Sequence, residues 1–111
     1  MKAVKFNYVR SYRTAEYIRS YEVFTCKTHA KQIKAIKKAI KAAYETLNML
    51  NQIDNNWFRC FPCDATNKFR EAHPFCHMAF EDTRDIMKKE RDSVEHTIDQ
   101  LEYIERQILN A

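Results

Sequence analysis

The sequence predicts a mainly α fold: an antiparallel helical hairpin over about 28–53 and 74–110, an N-terminal extended or β-hairpin segment, and a Cys/His-pinned connector. Three observations predict it. Apolar residues recur at spacings of three and four in the first helical stretch. They recur the same way toward the C-terminus. In the N-terminal part of this chain of 111 residues, β-branched and aromatic residues alternate with polar ones instead. An α+β class is the alternative if the N-terminal strands form a real sheet.

The size suits a single small domain with a modest core. It divides into an N-terminal segment 1–26, a basic helix 28–53, a connector 54–77 and an acidic helix 78–110. Hydrophobic content of 45% and charged content of 31% fit a globular chain.

In residues 1–26, Val4, Phe6 and Tyr8 alternate with Lys5 and Asn7, the period of an extended strand. An internal echo follows: Tyr8-Val-Arg-Ser-Tyr12, then Tyr17-Ile-Arg-Ser-Tyr21. Folded as a hairpin around 13–16, the echo sets Tyr12 opposite Tyr17, Arg10 opposite Arg19 and Tyr8 opposite Tyr21. A helix over 14–25 is the rival, since Tyr17, Ile18, Tyr21 and Phe24 also fit helical spacing. The hairpin's aromatic face can cover the helices, or it can form a platform of Tyr8, Tyr12, Tyr17 and Tyr21 on which bases stack.

From Thr28, a candidate cap, Ile33, Ile36, Ile40, Ala43, Leu47 and Leu50 form one apolar stripe, expected to end before Asp54. Beside it runs a lysine stripe of Lys27, Lys31, Lys34, Lys38 and Lys41, with Lys37 at its border. Such a stripe is either a solvated face or the footprint of a polyanion, with Arg10 and Arg19 as further anion contacts.

The connector carries the chemistry. Cys60-Phe-Pro-Cys63 is a C-x2-C pair, and His73-Pro-Phe-Cys76-His77 follows it. Cys60, Cys63, His73 and Cys76, with His77 as the alternate ligand, make a candidate structural zinc site, because a short turn brings paired thiolates to one side of an ion. Pro74 suits a first helical turn, which places Cys76 and His77 at a helix N-terminus where thiolates are favoured. Reduced core cysteines and a redox pair are the alternatives. Trp57 and Phe58 supply a small satellite core or a patch for a partner. A second metal site of Cys26, His29 and His96 would need residues 90–100 of the returning helix to lie beside Cys26.

After Pro74 the chain is either one long helix or a short helix followed by 83–110. Ile86, Met87, Val94, Ile98, Leu101, Ile104 and Ile108 mark its seam, which Glu90 and Thr97 interrupt.

Charge is polarised. Residues 1–44 hold eleven Lys/Arg and two Asp/Glu, a net +9, and residues 45–111 hold eight and thirteen, a net −5. Basic and acidic helices can attract each other within one chain or between subunits, and a two-helix layer with poorly covered outer positions favours a homodimer.

Without glycine there is no phosphate-binding loop, dinucleotide fingerprint or nucleophile elbow, so an enzyme is not expected. No apolar run approaches a membrane span, and Met1–Asn7 lacks the apolar core of a signal peptide, so the chain is expected to be cytoplasmic. The expected function is a small protein-interaction module, an inhibitor or adaptor, on a zinc-stabilised helical scaffold. The alternative is a nucleic-acid-binding protein using the basic face of 1–44. A thiol redox or metal-dependent enzyme comes third.

Overall fold

The structure is a computed structural model that describes the backbone of residues 1–60 and 74–111 and the side chains of 1–53 and 82–111. Three helices form: α1 (Tyr12–Ser20), α2 (His29–Cys60) and α3 (Pro74–Leu109). The fold is mainly helical. Among the described residues there is no strand, only an isolated antiparallel bridge between Lys2 and Thr28.

The N-terminal β-hairpin and the α+β alternative are therefore corrected. Residues 12–20, expected to hold its turn and second strand, are α1. Ser11 explains why. Its backbone is extended, and its Oγ accepts a hydrogen bond from the Thr14 amide at 3.1 Å, which caps the helix. Thr14 and Ile18, four residues apart, then bury one face. The rival helix over 14–25 has the right type but starts and ends too late.

α1 ends in a Schellman arrangement: the Glu22 amide donates to Arg19 O at 3.1 Å and the Val23 amide to Ile18 O at 3.0 Å. The left-handed position this requires is taken by Glu22, at φ 58°, in a chain that has no glycine to place there. Val23 and Ile18, the apolar pair that accompanies such an ending, are both buried.

Residues 1–10 are extended, and the alternation read from the sequence sets their faces. Phe6 is buried and Val4 and Tyr8 are half-buried, while Lys5 and Asn7 face outward. Their backbone partners are glutamine side chains rather than a second strand. Gln32 of α2 accepts from the Val4 amide at 2.9 Å and donates to Val4 O at 2.8 Å. Gln107 of α3 does the same for Asn7, and Gln100 accepts from the Val9 amide at 3.1 Å. Gln32 is only 1% exposed, so its amide is fully used where an unpaired one would be costly.

α2 begins where Thr28 Oγ1 accepts from the Lys31 amide at 3.3 Å. It does not stop before Asp54 but runs on to Cys60. Neither glycine nor proline interrupts 29–60, and Pro62 is the first residue that disfavours helix in the residue before it. α3 is one continuous helix from Pro74, not a short helix followed by 83–110.

α2 and α3 pack along each other in opposite directions: the His29 ring lies 2.8 Å from Ile108 O, and the Tyr44 hydroxyl 2.6 Å from a Glu102 oxygen. The core between them holds Ile36, Ala39 and Ala43 of α2 with Val94, Ile98, Leu101, Ile104 and Ile108 of α3, and Phe6, Ile18 and Val23 close it. The two polar interruptions of the α3 seam are satisfied. Thr97 bonds Ser93 O at 3.0 Å, and Glu90 pairs with Arg13 of α1. Ile86 is a correction: it was expected in the seam but is 67% exposed.

Candidate nucleic-acid interface

The lysines are placed by α2. At about 100° per residue, the three-four-three spacing of Lys31, Lys34, Lys38 and Lys41 keeps all four on one side of the helix over about 15 Å. That side is opposite the buried Gln32, Ile36, Ala39 and Ala43. All four lysines are exposed, as are Lys27 and Lys37. Among the described residues, no carboxylate of the acidic helix pairs with the row, none of these lysines makes an ion pair, and the ion pair seen is Arg13–Glu90.

Two more lysines join from a distance in sequence. The Lys2–Thr28 bridge and the bond from the Ala3 amide to Lys27 O, at 3.2 Å, lay the start of the chain beside the start of α2. Lys2 and Lys5 are both exposed there. The first turn of α2 holds no acidic residue, so the positive helix end reinforces this basic surface. It has the charge and the extent to contact several phosphates at once.

Of the four platform tyrosines, Tyr12, Tyr17 and Tyr21 line one surface cavity of about 380 Å³ with Arg13 and Glu16, while Tyr8 lines another. Tyr12 is 81% exposed, but Tyr17 stacks on Tyr21 at 6.4 Å, and its hydroxyl lies 3.0 Å from Thr46 Oγ1. Tyr8 packs on Phe6 at 6.0 Å, and Tyr8, Tyr17 and Tyr21 lean on the core. Arg10 and Arg19 are exposed but sit on the extended segment and on the last turn of α1, not opposite each other. Arg19 lines a surface cavity of about 310 Å³ with Tyr8, Ile18, Glu22 and Phe24.

At the other edge of α2, the hydrogen bond to Glu102 and that carboxylate's charge raise the Tyr44 phenol above its ordinary value.

The zinc expectation falls mostly outside the described residues. Cys60 is the last residue of α2, and Cys76 and His77 lie in the first turn of α3, but their side chains, and all of Cys63 and His73, are outside them. The side chains of Trp57 and Phe58 are outside them too. Among the described residues no group of three His, Cys, Asp or Glu is placed to hold a metal ion. The second site of Cys26, His29 and His96 is corrected. His29 lies against Ile108, at the far C-terminal end of α3 rather than near 90–100, and Cys26 Sγ donates to Glu22 O at 3.1 Å.

Sequence reasoning missed the three glutamines. One signal was present: Gln32 stands on the apolar stripe four residues before Ile36. Gln100 and Gln107, one heptad apart beside the α3 seam, repeat it.

Among the described residues no helix is long and apolar enough to cross a membrane. Comparisons with protein-family models, with curated proteins and with solved structures find no match.

Proposed function

We propose that this chain is a non-enzymatic binding module whose lysine face on α2 takes up the phosphate backbone of a nucleic acid. The observation that carries this is the row Lys31, Lys34, Lys38 and Lys41, exposed, turned away from the core and without a carboxylate partner among the described residues. Lysines on phosphates hold a duplex or single strand with little choice of sequence. The test is fluorescence anisotropy with labelled single- and double-stranded oligonucleotides across a salt series. Four phosphate contacts on a duplex give a slope of about −3.6 in log affinity against log salt. An absence of binding at low salt refutes the proposal.

A protein partner is the second reading, and exposed apolar side chains favour it. Met49 is 61%, Ile53 51% and Ile86 67% exposed. Trp57 and Phe58, whose side chains lie outside the described residues, are further candidates from the sequence. Binding of this kind survives loss of the lysine row, which separates it from the first.

The scaffold is proposed to hold structural zinc through Cys60, Cys63, His73 and Cys76, with His77 as the alternate, on the strength of ligand spacing alone. Metal analysis of purified protein, with melting followed in chelator, tests it. Absence of zinc together with unchanged melting rejects it.

A further inference from the structure

The lysine row has a counterpart on α3. Asp92, Glu95, Asp99 and Glu102 follow the same three-four-three spacing as Lys31, Lys34, Lys38 and Lys41. On a helix, each set is therefore a row of four charges about 15 Å long with the same slant. Asp92, Glu95 and Asp99 are exposed and, among the described residues, make no ion pair. Glu102, half-buried, closes the row at the α2 edge, where it accepts from Tyr44. The carboxylate row faces away from Val94, Ile98, Leu101 and Ile104, as the lysine row faces away from Ile36 and Ala43. The two rows cannot meet within one molecule.

We infer that the carboxylate row of one copy docks on the lysine row of a second copy of this chain. Charge complementarity and equal spacing identify the occupant. A three-four-three spacing reads the same in both directions, so four lysines meet four carboxylates whether the paired helices run parallel or antiparallel. The contact joins two different surfaces, so it is heterologous: each copy keeps one row free and further copies can add. Exposed ion pairs are individually weak and salt-sensitive, so the association is transient. It goes beyond nucleic-acid binding and does not depend on it. It adds a consequence, however: a polyanion and a neighbouring copy compete for the same lysines.

The experiment is sedimentation equilibrium of the nucleic-acid-free chain at roughly 300 µM, a loading suited to a weak contact of three exposed pairs and a fourth at the half-buried Glu102. In low salt the average mass should rise with concentration above the 13.3 kDa of one chain. It should return to that mass in about 1 M salt, where charges are screened beyond about 3 Å. Lys31→Glu/Lys34→Glu/Lys38→Glu and Asp92→Lys/Glu95→Lys/Asp99→Lys should each lose the association, and an equimolar mixture of the two should regain it. All six positions are exposed, and circular dichroism checks that each variant is folded. A wild-type chain that stays at one-chain mass in low salt overturns the inference. So does a mixture that fails to associate when the wild type does. Oligonucleotide binding read at nanomolar protein is a separate result, so failure of either proposal leaves the other intact.

Discussion

The inner and outer faces of α2 do different work. Ile36, Ala39 and Ala43 are fully buried on the inner face, among Ile98, Leu101 and Ile104 of α3. Half a turn away, Lys31, Lys34, Lys38 and Lys41 are exposed and unpaired among the described residues. The inner face can account for the fold without the outer one. The difference teaches that the lysines are free to be selected for contact with something else, because stability does not need them.

Substitutions can break or sharpen this contrast. The largest effect is expected at the centre of the inner face. Leu101→Ala should cost about 3 kcal/mol in denaturant unfolding, the lost transfer energy plus a cavity, yet leave oligonucleotide affinity unchanged while the chain stays folded. Gln32→Ala comes next, at about 2 kcal/mol, because it strands the amide and carbonyl of Val4 beneath the N-terminal segment. Glu22→Gly should raise stability by about 0.5–1 kcal/mol, since glycine removes the strain of a left-handed residue even after its unfolded-state entropy is counted. Ile86→Ala should move stability by less than about 0.5 kcal/mol, as an exposed position outside the core does. A large loss at Ile86 would mean that the inner face extends farther along α3.

The inner face was legible in the sequence because helical period and burial are the same signal there. Ile36 and Ala43, and Val94 through Ile108, stand where spacing puts them. The N-terminal segment was half legible. Val4, Phe6 and Tyr8 do turn inward, but alternation says only that a chain is extended, not what pairs with it. Here the partners are Gln32, Gln100 and Gln107, up to 100 residues away. The tyrosine echo misled because Tyr17 and Tyr21 satisfy a helix as well as a hairpin. Four residues apart, they stack on one face of the chain as α1 ends, and Ser11 with its cap decides for the helix. Asp54 looked like the end of α2 because Asp and Asn favour turns, but no proline or glycine stands before Pro62, and residues of modest helix propensity do not by themselves force an end. The freedom of the lysine row was not legible either. The sequence gives the sign of each helix but not the direction in which its charges point.

The most direct test of that freedom joins both faces in one variant. Lys31→Gln/Lys34→Gln/Lys38→Gln should unfold within about 0.5 kcal/mol of the wild type, as exposed substitutions do. In the anisotropy salt series its slope on duplex DNA should be shallower by about 2.7, the contribution of three phosphate contacts. An unchanged slope with unchanged stability would contradict the account, because the row would then be neither a structural element nor a surface for nucleic acid.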